Sequence, residues 1–235
     1  VCDRELTWQA YDVLDQSQMR EKWQHQFNRE LTDRDPVFGV NWYEAITYCR
    51  YLSNQAGLPE TAQCYDGPES LPKDDEGNPE YEQLYLDRPG FRMPTEAEWE
   101  SACRAGTTTP FNTGTLITTD QANFDGKFVY PGGQPGVYRH EPTPVRTFKP
   151  NAWGLYDMHG NAYQWCSDWY GNYPDGPATD PSGPDSGADR VIRGGKYGSG
   201  PRYVRSAARY SYTPHNMSVV FGFRIVMEAD QKESK

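Results

Sequence analysis

The sequence has no long apolar run and no excess of positive charge. No stretch approaches the roughly 20 apolar residues of a membrane-spanning helix, and the opening VCDRELTWQAYDVL lacks the basic and apolar regions of a signal peptide. The 23 Lys and Arg residues are outnumbered by 33 Asp and Glu residues, which gives a formal net charge of -10. Because binding to a phosphate backbone needs a cationic surface, we expect a soluble protein with neither a membrane nor a nucleic acid as partner.

Close cysteine pairs are also missing. The five cysteines, an odd number, are spread from Cys2 to Cys166 with no CxxC spacing, which argues against a zinc knuckle or a full disulfide framework. We therefore expect free, mostly buried thiols. Hydrophobic residues make up only 36% of the chain, but 14% of it is aromatic, so Trp, Tyr and Phe can fill the core of a globular protein. The chain begins without Met and in mid-pattern, and we expect it to be a fragment or a processed product.

Two segments carry a complete helix signature. NWYEAITYCRYLSNQAG, from residue 41, and TEAEWESACRAG, from residue 95, each begin with a capping residue that is followed three positions later by Glu, and each ends at Gly. Two weaker helices are predicted before them. Thr7 is expected to cap a short helix through WQAYDVL, and Met19, Trp23 and Phe27 mark one face of a helix in DQSQMREKWQHQFNRE.

Gly, Pro and Asn punctuate most of the remaining chain. Residues 59–89 are rich in Asp, Glu, Gly and Pro and predict a long polar loop. Beyond residue 106, the aromatic pieces KFVYPGG, GLYDMHG and YQWCSDWYGNYPDG predict short strands joined by long loops. Long ordered loops in a compact domain usually carry binding or are held by something such as an ion.

Five separated motifs follow one another: GFRMPTEAEWESACRAGT, PNAWGLYDMHGNAYQWCSDWY, RVIRGG, RSAAR and GFRIV. In this order they resemble the formylglycine-generating-enzyme (sulfatase-modifying-factor) family. The resemblance implies an irregular single α+β domain of the C-type-lectin-like kind, with little regular secondary structure and two helices packed on short twisted sheets. We expect residues 36–228 to form this domain, residues 1–35 to be an N-terminal helical segment of it, and residues 229–235 to be a charged tail.

The resemblance also defines where catalysis would take place. Enzymes of this family use two cysteines between the GG and RxAAR motifs, whose thiolates hold the Cu(I) that activates oxygen. Here that interval reads KYGSGPRYVRS, which has no cysteine, is shorter, and puts Pro201 about where one metal ligand would fall. Ser199 offers a hard, protonated oxygen that cannot replace a copper thiolate. We therefore expect no copper and no formylglycine generation.

The resemblance implies altered disulfides as well. Cys49 and Cys103 match cysteines that form disulfides in secreted relatives, but their partner positions look like Ile225 and Ser206. Without these cross-links the chain is expected in a reducing compartment, and a cytoplasmic location is favoured.

Other catalytic signatures are not evident. His25, His140, His159 and His215 show no HxxxH-like spacing, and no GxSxG nucleophile elbow occurs. GKYGSG lacks the GK[ST] ending of a phosphate loop. Of the histidines, His215 is the one worth testing, because it lies in the tyrosine-rich C-terminal stretch.

Calcium is the cofactor that the resemblance implies, in a structural role. The family's calcium loop corresponds to YDMHGNAYQW, with oxygen ligands of the kind that a hard cation accepts. Gln164 replaces the usual glutamate, which lowers the charge of the site. The alternative is a loop held by its own hydrogen bonds and by Trp153 and Trp165. The implied ligands are the side chain of Asp157, the carbonyls of Gly160 and Ala162, and the side chain of Gln164.

With the copper site missing and the fold motifs present, the surface around that site is predicted to bind a ligand. Arg, Tyr and Trp are frequent binding hot spots, whereas Arg193, Arg209 and Arg224 belong to family motifs and are expected to pair internally. The C-terminal pattern also resembles the C-type-lectin-fold variable proteins of diversity-generating retroelements. On that analogy the variable positions are the ligand-binding residues named next, without Arg202 and with Ser218 and Val220 added. The predicted ligand-binding residues are Lys196, Tyr197, Ser199, Arg202, Tyr203, Tyr210, Tyr212, His215 and Asn216.

The sequence thus favours a non-catalytic module that binds a protein or a small ligand. It would be a diversified binding protein or a C-terminal sensor domain of a larger bacterial protein, because VNWYEAITYCRYLSNQAGLPETAQCY resembles family members appended to bacterial kinases and caspase-like proteases. The alternative is an oxidoreductase-like enzyme of altered chemistry that uses the same cleft. A third possibility is an accessory domain that packs against its parent protein.

Overall fold

A computed structural model describes residues 1–14, 19–68, 71, 73 and 84–228 of the chain. Residues 105–162, all of which are described, form no regular helix or strand, so the prediction of an irregular α+β fold is confirmed. Within the described ranges the α-helices are α1 (Trp8–Tyr11), α2 (Met19–Gln24), α3 (Trp42–Gln55) and α4 (Glu96–Arg104). The 3-10 helices in these ranges are Glu60–Ala62 and Pro201–Val204. The strands are β1 (Tyr163–Trp169), β2 (Arg190–Arg193), β3 (Tyr210–Tyr212) and β4 (Phe221–Phe223).

Both predicted capping boxes are present. The Asn41 side chain accepts a hydrogen bond from the Glu44 backbone, and the Glu44 side chain accepts one from the Asn41 backbone, so α3 begins with its first amides satisfied. Thr95 and Glu98 form the same reciprocal pair at the start of α4. These signatures predicted the helices correctly because every group in them lies within one turn of the chain.

The two N-terminal helices are shorter than the sequence predicts. α1 ends at Tyr11, and Thr7 makes no side-chain cap hydrogen bond, so the predicted cap is wrong. α2 covers only part of the helix predicted in DQSQMREKWQHQFNRE, of which residues 15–18 lie outside the described residues. Such short helices depend on tertiary packing for their stability. The predicted apolar stripe does pack inward: Met19 is buried, and Trp23 and Phe27 contact the same core.

The strands form one small sheet in the order β3-β2-β1-β4. β1 runs antiparallel to β2 and parallel to β4, with Trp165 opposite both Ile192 and Phe223. The β1–β2 register shifts between Trp165 and Trp169. Of the three aromatic pieces predicted to form strands, only YQWCSDW does so; KFVYPGG and GLYDMHG form no strand of the sheet. In KFVYPGG the Phe128 and Gly133 amides close local turns, and in GLYDMHG the Tyr156 amide donates to the carbonyl of Asp3.

The sheet is buried on both faces. Trp165 on one face joins the larger core with Trp42 of α3, and Cys166 on the other joins a second core with Trp99 and Cys103 of α4. The buried indoles also satisfy backbone groups. Trp42 Nε1 donates to the Cys166 carbonyl at 2.9 Å, and Trp165 Nε1 donates to the carbonyl of Val40 at 3.0 Å.

The N-terminal residues are joined to this core by backbone hydrogen bonds. The Leu6 amide donates to the Phe223 carbonyl at 3.0 Å, and the Val37 amide donates to the Leu6 carbonyl at 2.8 Å. The predicted charged tail, residues 229–235, lies outside the described residues. No helix within the described ranges has the length and apolarity to cross a bilayer.

Candidate functional site

The three motif arginines that were predicted to pair internally, Arg193, Arg209 and Arg224, support the fold. Arg209 donates two hydrogen bonds to Glu96, both at 2.6 Å. Arg193 and Arg224 are completely buried. Arg193 pairs with Glu100 of α4 and donates to the Ala208 carbonyl. Arg224 donates to Gln164 Oε1 at 2.7 Å and to two backbone carbonyls. The prediction that these motif arginines pair internally is confirmed.

The predicted ligand-binding residues differ in their exposure. Tyr203 and Tyr212 are 52% and 45% exposed, and Arg202 is exposed beside them. The Tyr203 and Tyr210 rings lie 6.3 Å apart, and Tyr212 packs 4.8 Å from Phe221. Tyr163 connects the two pairs, because its ring lies 5.5 Å from that of Tyr210 and 6.0 Å from that of Phe221. The half-buried members of the predicted set are Lys196, Tyr197, Tyr210, His215 and Asn216.

The half-buried aromatic residues pack against other aromatic rings of the fold. Tyr197 packs 6.4 Å from Phe27, and the His215 ring lies 4.9 Å from the ring of Tyr43. Burial, with a contribution from nearby tyrosines, raises the pKa of Tyr210 to about 12, so its hydroxyl remains protonated at neutral pH. These residues hold the exposed rings in place while presenting only part of their own surface.

Ser199 does not belong to the exposed surface. It is buried, and its hydroxyl accepts a hydrogen bond from the Lys196 amide at 3.2 Å. Its carbonyl accepts from the Asp125 amide at 2.8 Å. The polar groups of Ser199 therefore close the loop internally and are not part of the exposed surface.

Residues 126–138 contribute to the same surface, although the sequence did not indicate it. Phe128 is 62% exposed, and its side chain lies 3.0 Å from the position that a Cβ on Gly200 would take. The Tyr138 hydroxyl lies 3.3 Å from the corresponding position on Gly198. The two glycines thus let this loop pack closely on the KYGSG segment. The only local signal was the aromatic character of KFVYPGG.

The segments that carry Phe128 and Tyr203 also carry four cations. Lys127 lies 5.3 Å from the centre of the Tyr138 ring, and Arg205 Nε donates to the Arg202 carbonyl at 2.8 Å. Among the described residues, none of Lys127, Lys196, Arg202 and Arg205 forms an ion pair. We call this surface the C-terminal face; it is formed by Lys127, Phe128, Lys196, Arg202, Tyr203 and Tyr212.

The buried histidine beneath this region is structural. His159 Nδ1 lies 2.7 Å from the Val204 carbonyl, and Nε2 lies 3.1 Å from the Asn112 amide. These partners assign a neutral ring that donates from Nδ1 and accepts at Nε2. Burial lowers the pKa of His159 to about 4. Its other neighbour is the thiol of Cys103, at 3.8 Å.

A family model for the sulfatase-modifying factor enzyme 1-like domain matches residues 3–229. The chain belongs to this sulfatase-modifying factor domain family. The fold also resembles a solved structure, Treponema denticola variable protein 1, with a TM-score of 0.75 and 26% identity over 94% of this chain and 81% of that one. The predicted fold and the predicted similarity to variable proteins are both confirmed.

Two curated relatives illustrate the range of proteins that contain a sulfatase-modifying factor domain. The formylglycine-generating enzyme of Streptomyces coelicolor is 38% identical over 154 residues, which is 60% of this chain and 48% of the enzyme. The serine/threonine-protein kinase pkn1 of Chlamydia caviae is 38% identical over 196 residues, which is 81% of this chain and 24% of the kinase. The chain therefore spans less than half the length of either relative.

The calcium ligands implied for a sulfatase-modifying factor domain do not form a complete set here. Asp157 has a buried Oδ1 without a hydrogen-bond partner, which fits a cation ligand. Gln164 does not fit, because its Oε1 accepts from Trp99 Nε1 and from Arg224 Nε, both at 2.7 Å. Turning the amide would place its NH₂ group against two donors. Gly160 and Ala162, the other two implied ligands, lie in the same loop as Asp157. Trp153 is 57% exposed, so its side chain does not stabilise the loop by packing.

A buried carboxyl group, which the sequence did not reveal, lies beside the loop that contains Asn161, Ala162 and Gln164. Glu5 accepts hydrogen bonds from the Ala162 amide at 3.1 Å, Gln164 Nε2 at 3.2 Å and Asn161 Nδ2 at 2.7 Å. Burial, reinforced by Asp157, raises the pKa of Glu5 to about 8, and the guanidinium of Arg224 opposes this shift. Hydrogen bonds among Glu5, Gln164 and Arg224 thus hold the loop together, and we assign no step to a cation.

Proposed function

We propose that this chain is a binding module that recognises a partner protein through the C-terminal face and does not carry out copper-dependent oxidation. The observation that supports the proposal is the combination of exposed Tyr203 and Tyr212 with four cations that lack ion-pair partners among the described residues. Tyrosine and arginine side chains combine large contact areas with directional polar groups, and they are enriched among binding hot spots.

The charge of the face points to the chemistry of the partner. The chain as a whole carries a formal charge of -10, so its net charge is unfavourable to acidic molecules. The C-terminal face is locally basic and aromatic, and complementary charge steers association and selects partners. We therefore propose an acidic protein segment, rich in Asp and Glu, as the partner.

The relatives suggest how such a module is used. Similarity to a variable protein supports a diversified binding surface, and similarity to a bacterial kinase supports a sensor domain within a larger protein. Sequencing of sibling loci separates the two uses. Substitutions confined to the predicted variable positions support diversification, whereas substitutions spread evenly over the chain contradict it. These positions are Lys196, Tyr197, Ser199, Tyr203, Tyr210, Tyr212, His215, Asn216, Ser218 and Val220.

A peptide-display selection tests the partner chemistry. Random peptides are selected on the isolated chain, and the affinity of a selected peptide is then measured by fluorescence anisotropy. We expect enrichment of Asp and Glu, and we expect Arg202→Glu to weaken binding about tenfold or more. Lys149→Glu, which changes an exposed cation outside the face, is the matched control. Equal losses in both variants, or an oligonucleotide of the same charge binding equally well, would show general charge attraction instead of recognition.

A metal and oxygen assay tests the non-catalytic part of the proposal. The purified chain is loaded with Cu(I), desalted, and incubated with a cysteine-containing peptide in an oxygen electrode. We expect no stoichiometric copper and no oxygen consumption above the free-copper control, because the interval from Lys196 to Ser206 offers no thiolate. Retained copper together with peptide turnover would overturn the proposal.

A further inference from the structure

A cleft beside α4 shares no lining residue with the C-terminal face. It has a volume of about 1070 Å³ and is bounded by α4, the end of β1 and residues 171–184. This is the size of cleft in which small molecules bind, with apolar walls and a few converging polar groups. The apolar walls include Ala97, Tyr173, Pro174, Pro181, Pro184 and Ala207.

Two carboxylates in the cleft already have cationic partners. Glu96 accepts two hydrogen bonds from Arg209, both at 2.6 Å. Glu100 pairs with Arg104 at 2.7 Å and also with Arg193. The charges of these groups are therefore compensated within the fold.

Asp168 is different. It lies at the end of β1, is only 4% exposed, and lines the cleft. Its Oδ2 accepts from the Glu96 amide at 2.7 Å, but no cation forms an ion pair with it among the described residues. A carboxylate that is buried without a cation is costly unless it is protonated or a ligand compensates it.

The surroundings of Asp168 add negative charge. Glu96 and Glu98 of α4 disfavour its ionisation, Asp180 lines the cleft from the loop, and Arg190 of β2 is the nearby cation that acts on it. The Arg190 guanidinium is stacked between the rings of Trp42 and Trp169, at 3.7 and 3.3 Å. Burial, with the negative charges of Glu96 and Glu98, raises the pKa of Asp168 to about 7.

We propose that this cleft binds a small organic cation, a primary ammonium or an amidinium compound, whose charged group pairs with Asp168 and whose apolar part packs on Tyr173 and the surrounding prolines. One face of the Tyr173 ring is occupied by Arg209, whose guanidinium lies 3.9 Å from the ring centre. The ring is nevertheless 59% exposed, so it has surface left for a ligand. Arg104 and Arg209 also line the cleft, but they are paired with Glu100 and Glu96. The carboxyl groups of Asp168 and Asp180 are therefore the charges that disfavour anionic compounds in the cleft.

Three ligands of matched shape test this proposal: benzylamine, benzyl alcohol and benzoate. Binding is followed by amide chemical shifts of the isolated chain. We expect benzylamine to bind with a Kd of roughly 0.1–10 mM, as ligand efficiency permits for a molecule of this size. Its largest shifts are expected at Ala97, Tyr173 and Ala207. Shifts of equal size with benzyl alcohol or benzoate, or no shifts at these residues, would overturn the assignment.

Two variants locate the cationic contact. Asp168→Asn keeps an oxygen that can accept from the Glu96 amide, so the start of α4 is preserved while the charge is removed. We expect this variant to bind benzylamine at least about tenfold more weakly. Asp120→Asn, which removes an exposed carboxylate outside the cleft, is the matched control and should bind as the unmodified chain does. Unchanged affinity in Asp168→Asn, or an equal loss in Asp120→Asn, would contradict the proposal.

The pH dependence provides a readout that a purely structural role of Asp168 does not produce. Because the raised pKa leaves Asp168 protonated below about pH 7, a cation must displace that proton to bind. Affinity for benzylamine is expected to fall by up to about tenfold per pH unit below pH 7 in the unmodified chain. A flat profile in Asp168→Asn supports the proposal, and an identical decline in both proteins contradicts it.

Discussion

The sulfur of Cys103 lies 3.5 Å from the hydroxyl oxygen of Ser206, in the core between α4 and the segment that follows the second 3-10 helix. The sequence resemblance placed a disulfide partner of Cys103 at position 206, and the structure brings the two side chains together. All five cysteines are free, and burial raises the pKa of the Cys103 thiol to about 11, so this thiol is protonated and unreactive at neutral pH.

We predict that Ser206→Cys forms a disulfide with Cys103 under mild oxidation, because the two side chains already meet in the core. Closing a loop of this length is expected to stabilise the fold by up to about 4 kcal/mol. Thiol counting and thermal unfolding, each with and without reductant, measure the effect. Ala207→Cys, at the neighbouring exposed position, is the control and should leave its thiol free. A reductant-insensitive melting temperature in Ser206→Cys would contradict the prediction.

The parts of the fold that were predictable from sequence have local causes. The capping boxes of α3 and α4 involve residues within one turn, and the family motifs are short patterns that can be recognised directly in the sequence. Glu5 was not predictable, because its partners Asn161, Ala162 and Gln164 are distant in sequence. Phe128 was missed for the same reason: it joins the C-terminal face through its contact with Gly200, which is distant in sequence. The exposure of each tyrosine also depends on such long-range packing.

Acid is expected to destabilise the fold partly through His159. Its folded-state pKa of about 4 lies below the usual value of 6.5, so the unfolded chain binds more protons between these values. The stability that the neutral ring contributes is complete above about pH 6.5 and is lost as the pH falls toward 4, by up to about 1.4 kcal/mol per pH unit. Urea unfolding between pH 7 and pH 4 measures this dependence.

Variants separate His159 from the other groups that titrate in acid. His159→Gln is expected to be less stable at pH 7 and to lose less stability on acidification than the unmodified chain. His25→Gln, which removes an exposed histidine, is the matched control and should follow the unmodified chain at every pH. Parallel curves for all three proteins would show that His159 is not responsible.

Removal of calcium is expected to have little effect. The Gln164 oxygen is occupied by Trp99 and Arg224, and Arg224 already places a positive charge near Glu5 and Asp157. We predict that the melting temperature with excess EGTA is the same as with calcium, within the error of differential scanning calorimetry. A clear rise with added calcium, absent in Asp157→Ala, would show that the loop rearranges to bind the ion.

Tyr203 and Tyr173 provide the most direct test of the recognition surface, because both are exposed tyrosines but only Tyr203 lies on the C-terminal face. The measurement is the Kd of a selected acidic peptide for the unmodified chain, Tyr203→Ala and Tyr173→Ala. We predict that Tyr203→Ala weakens binding about tenfold or more, whereas Tyr173→Ala changes it less than about twofold. Equal affinity of Tyr203→Ala and the unmodified chain, or a greater loss in Tyr173→Ala, would contradict the proposal that this face is the site of recognition.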